Sequence, residues 1–104
     1  QSAVLLYEHG IMINVPSPGR FAIHKCVVSQ KRPAAQTAKA LKDRSQAEQL
    51  FQVLLENRPS DISLAFEAAK AQGDAFVADF LAGLRLINEE VSSSVRQQIE
   101  GKTN

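Results

Sequence analysis

Apolar positions change their spacing along the chain, and each change marks an element. Val4, Leu5, Leu6 and Tyr7 form one β-rich run and residues 11–15 a second. Glu8-His9-Gly10 lies between them and supplies a turn residue able to take positive φ, so the first sixteen residues predict a β-hairpin. Both strands are apolar on both faces, as in strands covered from two sides, yet a lone hairpin is only marginally stable in water. The pattern therefore predicts that the hairpin is the end of a larger sheet lying upstream, in keeping with a chain that starts at Gln1 rather than methionine.

From Ser17 onward the spacing becomes helical. Ser17 reads as an N-cap and Pro18 as the first residue of a helix running to about Lys31, apolar over most of its circumference with Arg20, His24 and Lys25 on its polar side. Arg32-Pro33 breaks it. A second helix over residues 34–56 carries Ala38, Leu41, Ala47, Leu50, Phe51, Leu54 and Leu55 as its apolar stripe and puts Lys39, Lys42, Asp43, Gln46 and Gln49 on its polar side. Ser60 or Asp61 caps a third helix that ends at Gly73 in a left-handed conformation, and Asp74 caps a fourth with the stripe Phe76, Val77, Phe80, Leu81 and Leu84. Asn88 starts a fifth helix, with Glu89 and Glu90 at its positive end, unless the fourth continues unbroken to Ile99; the tail 101–104 is polar and frayed. The fold class expected is mainly α: a hairpin over 1–16, the remnant of a larger sheet, followed by a bundle of four to five helices over 17–104.

Length and composition narrow the function. A chain of 104 residues, 44% hydrophobic and 22% charged, supports one modest core. Cys26 is the only cysteine, so neither an internal disulfide nor a cysteine-based zinc site can form, and it is expected to be buried and inert. No apolar run reaches the ~18–20 residues that span a bilayer and no signal peptide opens the chain, which suggests a cytoplasmic protein without a membrane partner.

The net charge of +1 hides an asymmetry: residues 20–44 hold seven basic side chains against Asp43 alone, a net +6, and the rest of the chain is −5. Such a block is either a solvated face or a surface for phosphates or nucleic acid. Within it, Lys39, Lys42 and Asp43 share one helical face, where Asp43 can hold Lys39 either as a surface ion pair or as a lysine aimed at a triphosphate. His24 and Lys25 are either edge-of-core residues or further phosphate contacts. Catalytic signatures are lacking: there is no hydrolytic triad, no phosphate-cradling glycine motif and no carboxylate pair placed for Mg²⁺.

Three stretches carry a resemblance: GIMINVPSPGRFAIHK at residues 10–25, SQKRP at 29–33 and KALKDRSQAEQL at 39–50. Together they resemble the C-terminal part of bacterial nucleotidyltransferase-like proteins of the DNA polymerase β-like superfamily, over about residues 3–65. In those relatives a strand leads through V-P-x-P-x-R-[FY]-A-[IL]-H-K into a helix, and K-x-x-K-D-x-x-Q-A sits on the next. The resemblance implies an upstream domain carrying a Gly-Ser turn and a D-x-D pair for Mg²⁺ and NTP, neither of which occurs in this chain. It implies that the hairpin ends the catalytic sheet and that the helices close or support an NTP or nucleic-acid cleft without catalysing alone. Arg20, His24, Lys25, Lys39 and Lys42 match as nucleotide- or phosphate-binding residues and Asp43 as an orienting one, with no catalytic or metal residue. The alternative reading is a small helical interaction module that binds a partner protein or forms a homodimer through the hairpin edge.

Overall fold

A computed structural model describes the backbone of residues 3–8 and 11–16 and the whole chain from residue 17 to residue 100. Its extended segments are β1 (Ala3–Glu8) and β2 (Ile11–Pro16), antiparallel with Ala3 opposite Pro16 and Glu8 opposite Ile11. The turn expected at His9-Gly10 and the tail expected to fray at 101–104 lie outside the described residues. Five α-helices follow and make the chain mainly α: α1 (Pro18–Lys31), α2 (Thr37–Asn57), α3 (Pro59–Lys70), α4 (Asp74–Leu84) and α5 (Glu89–Ile99).

Helix α1 is central, packed against α2, α3 and α4. Its buried arc holds Ala22, Ile23, Cys26 and Val27, all small or β-branched, so neighbouring backbones can approach it closely. Phe51 of α2 and Phe80 of α4 meet in the core with ring centroids 6.3 Å apart, and Phe66 of α3 lies 5.9 Å from Phe80. Ile62, Leu84 and Val95 bring α3, α4 and α5 into the same cluster.

Helix ends follow the prolines and one asparagine. Pro18 and Pro59 stand at helix starts, where the missing N–H costs nothing. Asn88 caps α5: its side chain accepts a hydrogen bond from the Val91 N–H at 3.1 Å, and the turn at Arg85–Ile87 separates α4 from α5, which rules out one continuous helix.

Other caps differ from expectation. Ser17 precedes α1 in the left-handed region, φ 48°, and makes no side-chain capping bond. A 3-10 turn at Ala34–Gln36 precedes α2, because Pro33 fixes an extended entry that needs one tight turn before the α ladder can start. Arg58 rather than Ser60 or Asp61 is the residue before α3; Asp61 lies inside the first turn, 3.7 Å from the Arg58 guanidinium. Gly73 has positive φ, 110°, but ψ of 166° takes it out of the left-handed helical region, and it introduces α4, leaving Asp74 as the first helical residue.

The buried stripe of α2 is Ala40, Asp43, Ala47, Leu50 and Leu54, with Gln46 and Phe51 beside it. Leu41, expected on that stripe, is instead 56% exposed. Asp43 and Gln46, expected on the polar side, are buried. The helix is turned so that a carboxylate faces α1, and the reason is the pair of cations waiting there.

A candidate anion-binding site at the junction of α1 and α2

Asp43 is 2% exposed, and a carboxylate at that depth must be neutralised or lose its charge. Two cations do this. Arg32, the residue that ends α1, donates from Nε to Asp43 Oδ2 at 2.9 Å and from Nη2 to Oδ1 at 3.3 Å, a two-pronged contact that uses both carboxylate oxygens. Lys25, two turns back on α1, donates from Nζ to Oδ1 at 3.3 Å. Burial is the largest single influence on Asp43 and pushes its pKa up. The hydrogen bonds and charges of Arg32 and Lys25 together outweigh it, so the carboxyl is held below its ordinary 3.8. Arg32 in turn is held still more firmly protonated by its hydrogen bond to Asp43.

The ammonium of Lys25 also lies 5.4 Å from the centre of the Phe21 ring, one turn earlier on the same helix, a spacing at which the ring face attracts a cation. Phe21, Lys25 and Arg32 thus follow one edge of α1. Nearby, Ser29 donates to the Cys26 carbonyl at 2.7 Å and completes the buried side of this helix end.

The expected site residues divide into three places. Lys25 and Asp43 meet at the α1–α2 junction, so Asp43 has Lys25 and Arg32 as its bonded partners, not Lys39. Lys39 and Lys42 are exposed on α2. Arg20 and His24 are exposed on the α3 side of α1, where they line a depression of about 190 Å³ with Ala65, Ala69 and Phe76. Arg32 was not singled out by the sequence, in which it marks only a break before proline; its place in the SQKRP stretch was the available signal. Cys26 is buried, as expected, and burial, slightly offset by the Arg44 charge, raises its thiol pKa to about 12.

Among the described residues no three His, Cys, Asp or Glu side chains converge to hold a metal ion, and their one buried carboxylate, Asp43, is committed to two cations. The described residues do not fit a Mg²⁺ site.

The triad has a further regularity. Lys25, Arg32 and Asp43 come one from each of the three stretches at residues 10–25, 29–33 and 39–50, so these stretches close on a single contact. No curated protein and no solved structure matches the chain significantly. A family model described as "Nucleotidyltransferase" matches residues 1–71, well over half of the chain and everything from β1 through α3. The chain that builds this triad belongs to that nucleotidyltransferase family.

Proposed function

We propose that this chain is the helical C-terminal region of a bacterial, cytoplasmic nucleotidyltransferase-like protein, that it closes or supports an NTP cleft, and that it does not catalyse alone. Family membership supports the general reading. The observation that carries the finer one is the Lys25–Asp43–Arg32 triad: it joins α1 to α2 and holds a net positive cluster at their junction, on a helix that also carries the exposed Lys39 and Lys42. In this reading Lys25, Lys39 and Lys42 meet phosphate oxygens, and Arg20 and His24 offer further hydrogen-bond donors on the α3 side of α1. The hairpin over 1–16 is the end of the catalytic sheet of an upstream domain, which supplies the Gly-Ser turn, the D-x-D pair and the Mg²⁺ that this sequence lacks. Among the described residues no helix is long and apolar enough to cross a membrane.

The test is NTP binding by the full-length natural protein with Lys39→Ala and Lys42→Ala, singly and together. Each substitution should weaken binding by roughly tenfold, while stability changes by only ~0–1 kcal/mol because the side chains are exposed. Unchanged NTP affinity in the double variant removes the phosphate role.

A further inference from the structure

We infer that Asp43 and Arg32 are positioning residues for Lys25, holding its ammonium as a preset anchor for the polyphosphate of a nucleoside triphosphate. The inference rests on the reading that Lys25 meets phosphate, and it adds Arg32, which neither the sequence motifs nor the family match singles out.

A lysine side chain has a long flexible stem, so an unrestrained one must give up considerable rotamer freedom when it binds an anion. Lys25 has already given it up. Its side chain is only 22% exposed, and its ammonium is fixed on one side by Asp43 Oδ1 and on another by the Phe21 ring. Asp43 is itself prevented from turning, because the planar fork of Arg32 engages both of its oxygens and sets the plane of the carboxylate. The direction in which Oδ1 faces Lys25 is therefore set by Arg32, which shares no bond with Lys25.

Donor bookkeeping shows what is left for a ligand. An ammonium has three N–H groups and a guanidinium five. Asp43 takes one from Lys25 and two from Arg32, so both cations keep donors for a further anion, and the cluster of two cations and one carboxylate keeps a net positive charge. Lys39, exposed one turn before Asp43 on α2, has no such restraint among the described residues.

Positioning and simple charge make opposite forecasts, and the experiment uses that. Binding of ATP, GTP, CTP and UTP to the full-length natural protein is measured by calorimetry, at a temperature where circular dichroism shows each variant folded. Asp43→Asn removes a negative charge, so an effect of charge alone would tighten binding; loss of positioning should weaken it by roughly tenfold. Arg32→Lys keeps the charge and loses the fork; it should weaken binding by roughly fivefold, and it remains informative if the buried Asp43→Asn variant fails to fold. Lys25→Ala supplies the readout that a merely structural role would not move. If Asp43 and Arg32 act through Lys25, adding Arg32→Lys to Lys25→Ala should cause no further loss.

Equal or tighter binding by a folded Asp43→Asn variant, or an undiminished effect of Arg32→Lys in the Lys25→Ala background, overturns the inference while leaving the cleft reading in place. If the variants lower the melting temperature but bind as the unmodified protein does, the triad is structural only, and the inference again fails. If the unmodified protein binds none of the four nucleotides, the proposed function itself is overturned, and this inference with it.

Discussion

Gly83 of α4 stands against the backbone of Cys26 in α1. A Cβ at Gly83 would lie 2.6 Å from the Cys26 carbonyl oxygen and 3.0 Å from the Cys26 Cβ. The atom met first is backbone in the middle of a buried helix, so it cannot swing aside as a side-chain terminus would. Gly83 is therefore where α4 is brought down onto the central helix, and the Phe80 and Leu84 side chains that flank it reach the core because of that closeness.

Gly83→Ala should lower stability. The alanine gains up to ~1 kcal/mol in helix propensity, whereas overpacking of this kind costs about 1–3 kcal/mol, so a net loss is expected. Urea unfolding followed by circular dichroism checks it, with a stability equal to or above the unmodified protein counting against the close approach. Gly19→Ala should behave in the same direction, because its Cβ would lie 2.9 Å from the Asp61 carbonyl oxygen in α3.

Asp43 gives the fold an acid-sensitive contact. Its pKa in the folded protein is lowered from 3.8, so the folded state favours the charged form more than the unfolded state does. The stability this supplies is fully present above the unfolded-state pKa, and is lost as pH falls through the depressed folded-state value. Asp43→Asn should cost about 1–3 kcal/mol near neutral pH, since it removes a charged acceptor from under two donors. The gap between the two proteins should narrow as pH falls from the unfolded-state 3.8 through the lower folded-state value. Urea titrations of both proteins across that range test it; a gap that stays constant or widens toward acid would contradict the assigned partners.

What the sequence made legible and what it did not separate along a physical line. Helix limits set by covalent restriction or a local cap, at Pro18 and Asn88, were readable because their causes lie within a few residues, whereas α3 starts at Pro59, ahead of the caps expected at Ser60 or Asp61. The facing of α2 was misread at Asp43 and Leu41, because a periodicity count treats every carboxylate as solvent-seeking. Asp43 is inward only because Lys25 and Arg32 come to it from eighteen and eleven residues away, across the Pro33 break. Arg32 was missed for the same reason. The candidate site was half visible: the motifs brought Lys25 and Asp43 to notice, while the structure supplied their contact and moved Arg20 and His24 to the α3 side.

Capping should be measurable at Asn88 and not at Ser60. Asn88→Ala removes the acceptor of the Val91 N–H and should cost about 1 kcal/mol. Ser60 is exposed within the first turn of α3 and is not its N-cap, so Ser60→Ala should change stability by no more than ~0.5 kcal/mol. Chemical denaturation of the two variants side by side decides the matter, and a cost at Ser60 equal to that at Asn88 would mean that α3 begins differently.

Cys26 offers a probe of the α1–α4 contact that needs no added label site, since it is the only cysteine in the chain. Its thiol is buried, and burial raises its pKa to about 12, so the reactive thiolate is scarce and the reagent has no path to it in the folded state. Modification by a disulfide reagent at mildly alkaline pH should therefore be slow in native buffer and should accelerate with urea in step with unfolding. Gly83→Ala should speed it without urea, because the alanine forces α4 away from the carbonyl that lies beside this sulfur-bearing residue. A substitution on the far side of α2, Gln49→Ala, should leave the rate unchanged, since Gln49 is exposed and outside the core. Rapid native modification of the unsubstituted protein would show that α4 does not seal Cys26. Equal rates in the Gly83→Ala and unsubstituted proteins would show that opening does not pass through that contact.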